Sequence, residues 1–101
     1  MIAVVDLGAE LGRLKMLDGR TPTSSEAERA GAFARLGAYR DGAIFIAKFK
    51  GTSAWERHPQ GDEIVHVLDG ETTLRLITEQ GLQSLSLKAG MMLIVPQHMW
   101  H

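Results

Sequence analysis

The spacing of apolar residues changes at about residue 43. Before that point leucines recur at the spacing of a helix, at Leu7, Leu11 and Leu14. A break that contains glycine and proline follows at 19–22. After residue 43 apolar and polar residues alternate, which is typical of strands with one buried face. The pattern predicts a partly helical N-terminal extension over 1–42, followed by a β-rich domain over 43–101.

A second short helix is predicted within the extension. Thr23 and Glu26 have the spacing of a capping box, in which the first side chain caps the helix and the second bonds back to the cap residue. The helix is expected to run to about Leu36, ahead of the turn-forming pair Asp41-Gly42.

Six strands are predicted in the β-rich domain. Their ranges are 43–50, 53–58, 63–68, 71–78, 82–88 and 91–96, and turn-forming residues separate them. Asp69-Gly70 is a strong two-residue hairpin signal, so the strands on either side of it are expected to pair, with Val65 opposite Leu74. Short strands joined by tight turns are typical of an all-β sandwich or barrel.

The turn at 59–62 brings candidate ligands together. If this turn closes a hairpin, His58 and Glu63 face each other with Cβ atoms about 5 Å apart. Side-chain alternation places Glu56 on the same face as His58. In the predicted register Glu63 lies across from Leu76, in apolar surroundings where a carboxylate is costly without a compensating partner. A cation bound by the imidazole and the carboxylate would supply that partner.

Composition excludes several classes of protein. The chain has 101 residues, no cysteine and a formal net charge of −1, so it fits one core and offers neither disulfides nor thiolate ligands. It carries no basic stripe that would indicate nucleic acid. Its apolar runs are too short for a membrane span or a signal-peptide core, and we expect a cytoplasmic protein. Any metal would have to be bound by histidine and carboxylate side chains.

Two motifs resemble those of the cupin family, whose members are small jelly-roll barrels. The first is the stretch from Trp55 to Glu63, with six residues between Glu63 and Gly70. The second runs from Gly90 through Pro96 to His101. The resemblance covers about residues 43–101. It implies an all-β fold, the cupin double-stranded β-helix or jelly-roll barrel.

The resemblance also implies a divalent metal inside the barrel. The family's ligand positions correspond to His58, Glu63 and His101, whereas Glu56 stands where another histidine is usual. Glu56 is then a fourth metal ligand or, if it is not a ligand, a general base and the catalytic residue. The alternatives are a three-ligand site or a barrel without metal. His98 stands where the family usually has glycine in a left-handed turn, and we do not expect it to be a ligand.

Three functions are left open by these residues. The first is a metal-dependent enzyme of oxygenase or isomerase type, with Fe, Mn, Ni or Zn, which acts on a small oxygen-bearing metabolite. The second is a metal-free barrel that binds a small molecule as a sensor or carrier. The third is a dimer whose site has decayed.

Cupins commonly pair through a sheet, so the resemblance implies a homodimer. Its interface would be formed by Ile44, Ile46, His66, Ile77 or the tryptophans. Cupins usually continue through closing strands after the second motif, so either this sequence is a truncated piece of a longer chain, or the barrel closes in another way or with strands of a partner.

Overall fold

The computed structural model describes residues 2–101, which form two compact units over 2–54 and 55–101. Met1, the first residue of the predicted extension, lies outside them. Eight strands in four two-stranded ladders dominate the described residues, with two short helices. The predicted all-β class is therefore confirmed, while closure of these ladders into a barrel stays a prediction. Neither helix between residues 2 and 101 has the length and apolar content needed to cross a membrane.

Both helices belong to the first unit and are capped by local side chains. Helix α1, Leu7–Arg13, begins after Asp6, whose Oδ1 accepts a hydrogen bond from the backbone N–H of Ala9 at 3.0 Å. Helix α2, Glu26–Arg29, begins after Ser25, and the capping box joins Ser25 to Glu28.

The predicted box of Thr23 and Glu26 is therefore wrong. The same spacing recurs two residues later in the sequence. The backbone N–H of Thr23 is already bonded to the hydroxyl of Thr21 in a local turn, which places Thr23 outside the helix.

Helix α2 ends well before Leu36, and this prediction is also wrong. Gly31 has φ 86, which a right-handed helix does not accommodate. Two antiparallel strands follow, β2 at Phe33–Tyr39 and β3 at Gly42–Ala47. The sequence predicted a strand over 43–50 but none over the residues of β2. The ladder between them overrides the helical propensity of the alanines and leucines in this stretch.

The last strand of the first unit depends on a glycine. Strand β1, Leu17–Arg20, pairs in parallel with strand β4, Phe49–Gly51. A Cβ at Gly51 would lie 2.1 Å from the backbone oxygen of Arg20, and Gly51 has φ 120. No other residue fits this approach without moving the backbone. The core of this unit contains the buried residues Ala32 and Ile46.

The second unit consists of two antiparallel ladders. Strand β5, Glu63–His66, pairs with β8, Met92–Val95, and strand β6, Glu71–Thr78, pairs with β7, Gly81–Lys88. The most buried side chains of the unit come from three of these strands: Leu76, Leu87 and Val95.

The predicted pairing across Asp69-Gly70 is wrong. Val65 lies opposite Leu93, not Leu74, and Glu63 lies opposite Val95, not Leu76. Beyond the end of β5 the backbone N–H of Val67 still bonds to the carbonyl of Met91. The turn at 69–70 reverses the chain between strands of different ladders, because turn residues fix a reversal but not the partner strand.

The predicted faces of β5 are confirmed despite the wrong partner. Val65 and Val67 are partly buried, whereas Ile64, His66 and Leu68 are exposed. Alternation is a property of the strand itself and holds for any partner. Glu63 therefore shares the inner face, as its spacing from Val65 predicts.

Candidate metal centre

The backbone at Glu56 is paired with the backbone at His101. Residues 53–58, predicted as a strand, contain no strand in the described structure. Glu56 and His101 nevertheless exchange both backbone hydrogen bonds, at 2.8 and 3.0 Å. Residues paired in this way lie directly opposite each other with their side chains on the same face. His101 is thereby brought to the side of the chain that carries Glu56.

All four predicted ligands come together in the second unit. One donor atom from each of Glu56, His58, Glu63 and His101 lies within 4.8 Å of the others. Glu63 is central: its Oε2 is 3.0 Å from Nε2 of His58 and 2.7 Å from Nε2 of His101. The carboxylate of Glu56 lies farther out, 3.9 Å from Nε2 of His58 and 3.8 Å from Nε2 of His101.

These separations suit donors that share one ion. Ligand atoms about 2.1 Å from a metal lie roughly 3.0 Å apart at right angles and roughly 3.4 Å apart in a tetrahedron. The Glu63 distances of 2.7 and 3.0 Å and the Glu56 distances of 3.8 and 3.9 Å lie on either side of these values. Small side-chain movements would bring all four into range.

The cluster is closed on one side and open on the other. The side chain of His101 is 6% exposed, Glu63 35%, His58 45% and Glu56 55%. A small molecule would therefore approach from the side of Glu56 and His58.

Within the cluster, two atoms are buried and have no hydrogen bond in the part of the chain that the structure describes: Oε2 of Glu63 and Nε2 of His101. They are 2.7 Å apart without forming a hydrogen bond. Buried polar atoms without a partner are costly. A divalent cation would satisfy an imidazole nitrogen and a carboxylate oxygen at once.

The ring of His101 is oriented for ligation. Its Nδ1 lies 3.2 Å from the carbonyl oxygen of Met99. With the ring proton on Nδ1 this contact is a hydrogen bond to the carbonyl, and Nε2 carries the free lone pair. Metal-binding histidines are commonly fixed in this way by the ring nitrogen that does not bind the metal.

His98 lies outside the cluster, as the sequence predicts. It is exposed and has φ 70, so it occupies the left-handed turn where the glycine was expected. Sequence reasoning missed Asp62 and Gln97, which join the turn at 59–62 to the chain before His101. The sequence signals that could have indicated them are their positions: Asp62 directly precedes the candidate ligand Glu63, and Gln97 directly follows Pro96.

The sequence matches the family model of the cupin domain over residues 44–101. The match spans more than half of the chain and includes all four residues of the cluster, so the protein belongs to the cupin family. No curated protein and no solved structure gives a significant match.

Proposed function

We propose that this cupin binds one divalent cation through His58, Glu63 and His101, with Glu56 as a fourth donor, and binds or acts on a small oxygen-bearing metabolite. The convergence of these donors within 4.8 Å carries the proposal, together with the buried, unbonded atoms of Glu63 and His101. Two imidazoles and two carboxylates suit Fe²⁺, Mn²⁺, Ni²⁺ and Zn²⁺.

The four residues have different tasks in this proposal. A bound cation would supply Lewis-acid or redox chemistry to an oxygen of the metabolite. Glu63 balances the positive charge between the two imidazoles, which its Oε2 contacts at 3.0 and 2.7 Å. Glu56 is the most exposed and the most distant donor. It is therefore placed to exchange between metal ligand and general base on the open side.

Metal analysis tests this proposal. The protein is purified without added metal, and its metal content and affinities for Mn²⁺, Fe²⁺, Ni²⁺ and Zn²⁺ are measured. We expect one equivalent in the parent protein and a loss of about 100-fold or more in affinity for His58→Ala, since even second-shell changes cost 10- to 100-fold. His66→Ala is the matched control, because His66 is exposed on the outer face of β5. A parent protein that binds none of the four ions would overturn the proposal.

A metal-free binding module is the second candidate. Contacts of 3.0 and 2.7 Å are also the lengths of hydrogen bonds between a histidine and a carboxylate. In that case His58 and Glu63 would bind a small polar molecule directly. Ligand binding that is unchanged by a chelator would favour this candidate over the first.

We also infer that the protein is a homodimer. The outer face of the β5–β8 ladder places Ile64, 66% exposed, directly opposite the exposed Ile94. Exposed apolar pairs of this kind are typical of interaction surfaces. Of the interface residues that the sequence suggests, Ile46 is only 7% exposed and does not contribute. The expected location in the cytoplasm stays a prediction.

Light scattering across a range of concentrations tests the dimer. A dimer that Ile64→Glu converts to a monomer supports it, and a parent protein that is monomeric at all concentrations contradicts it.

A further inference from the structure

We propose that Asp62 and Gln97 are positioning residues that hold the candidate metal ligands in place before any cation binds. The inference rests on the metal site proposed above. It assigns a role to two side chains that donate no atom to the cluster.

Positioning residues are needed because the backbone that carries Glu56 and His58 forms no strand. Glu56 and His58 lie in a stretch, residues 52–62, that contains no ladder strand and whose backbone is paired with His101 only at Glu56. Chain of this kind keeps its conformational freedom unless other contacts remove it. Ligands on a mobile segment bind a cation more weakly, because ordering the segment opposes binding.

Three hydrogen bonds join this stretch to the chain before His101. The backbone N–H of Gln97 donates to Oδ1 of Asp62 at 2.8 Å, and the side-chain amide of Gln97 donates to the carbonyl of Pro59. The backbone N–H of His98 donates to the carbonyl of His58 at 3.1 Å. The partners are 35 to 40 residues apart, so these bonds fix tertiary structure rather than a local turn.

The bond to Asp62 lies directly beyond the end of the β5–β8 ladder. That ladder ends with Glu63 opposite Val95. The chain after β8 continues with Pro96, which has no N–H, so the first N–H beyond the ladder is that of Gln97. The carboxylate of Asp62 reaches one residue farther and accepts the N–H of Gln97. The bond thereby joins the two chains just past their last backbone pair.

Each bond acts next to a ligand. Asp62 directly precedes Glu63, and the carbonyl bonded by His98 is that of His58 itself. The left-handed backbone of His98, φ 70, turns the chain at this point. Strain of this kind is retained where the surrounding contacts determine it.

The variants Asp62→Ala, Asp62→Asn and Asp69→Ala test the inference. Alanine removes the acceptor, whereas asparagine keeps an acceptor oxygen without the charge. Asp69 is the matched control, an exposed aspartate in another turn of the same unit. A second variant, Gln97→Ala, removes only the bond to Pro59 and applies if Asp62→Ala does not fold.

The first readout needs no metal. Long-range ¹H–¹⁵N spectra of the histidine rings are recorded on metal-free protein. In Asp62→Ala we expect exchange broadening at His58 and His101 but not at His66, sharp signals in Asp69→Ala, and recovery in Asp62→Asn. Gln97→Ala should broaden the same two rings to a smaller extent. A merely structural role would lower the unfolding midpoint and leave the ring signals sharp well below it, and that result would overturn the inference.

The second readout is the dissociation constant for Mn²⁺. Asp62→Ala should raise it about 10-fold or more, the usual effect of losing a second-shell partner. Asp62→Asn should lie between alanine and the parent, and Asp69→Ala should match the parent. An unchanged constant in Asp62→Ala contradicts the inference. If the parent protein binds no Mn²⁺ or other divalent ion, the proposed function fails on its own, and the ring spectra alone decide whether Asp62 orders the cluster.

Discussion

The two units use polar side chains in different ways. In residues 2–54, Asp6 and Ser25 bond to backbone groups three residues away and begin helices. In residues 55–101, Asp62 bonds to a group 35 residues away, and the side chain of Glu63 meets that of His101. A local bond closes a short loop at little entropic cost, whereas a distant one forms only after the strands have assembled. Local polar groups thus shape single elements, and the distant ones join separate parts of the chain.

The largest effect on stability is expected in the first unit. Gly51→Ala places a Cβ 2.1 Å from the backbone oxygen of Arg20 at φ 120. The free energy of unfolding of this unit should fall by roughly 3 kcal/mol or more. Amide hydrogen exchange of β1 and β4 measures it, while Trp55 and Trp100 report fluorescence from the second unit only. The control is Gly12→Ala in helix α1, where the new Cβ has no neighbour within 4 Å. Equal stability of the two variants would contradict the close approach.

A loss of about 3 kcal/mol is expected for Leu87→Ala, because the change leaves a cavity among buried residues of the second unit. Denaturant unfolding followed by tryptophan fluorescence measures it. Leu82→Ala on the same strand is the control, since Leu82 is exposed and its truncation should cost far less. If the two variants unfold at the same denaturant concentration, the apolar core of this unit has been misassigned.

A smaller effect is expected at the cap of helix α2. Ser25→Ala removes the hydroxyl that accepts the N–H of Glu28 and should cost about 1 kcal/mol. Thr23→Ala, at the position that the sequence favoured as cap, should cost less. Metal affinity should not change in either variant. A greater loss of stability in Thr23→Ala would restore the sequence-based assignment.

The smallest effects are expected at the left-handed residues, one in each unit. Arg40 has φ 52 and His98 has φ 70. Arg40→Gly should stabilise the protein by up to about 1 kcal/mol, because it removes the steric cost of a side chain in this conformation. His98→Gly should gain less, since histidine tolerates the left-handed region better than arginine. Differential scanning calorimetry measures both, and a loss of stability in Arg40→Gly would contradict the backbone assignment.

Short-range patterns predicted which side chains form the cluster, but they did not predict which strands pair. Alternation along the chain placed Glu56 with His58 and Glu63 with Val65, and the structure shows all four on the predicted faces. The hairpin signal at Asp69-Gly70 indicated the wrong partner for β5, because the competing strand β8 lies nearly 30 residues downstream in the chain. The alternation along β5 itself holds for any partner, so Glu63 lies on the predicted face.

The stretch from Ala30 to Leu36 shows where local sequence patterns fail to predict the secondary structure. Its alanines and leucines favour a helix when considered alone. The pairing of Phe33 with Ala47 and of Ala34 with Ile46 makes it a strand instead. Only the later strand β3 carries that information. The bond between Asp62 and Gln97 was missed for the same reason, because no local pattern links residues 35 apart.

Anomalous diffraction from crystals grown with Mn²⁺ tests the central claim most directly. We predict a single strong peak about 2.0–2.3 Å from Nε2 of His58, Oε2 of Glu63 and Nε2 of His101, the range of nitrogen and oxygen ligand distances for such ions. A peak elsewhere, or no peak with Glu63 still in direct contact with both imidazoles, would contradict the account.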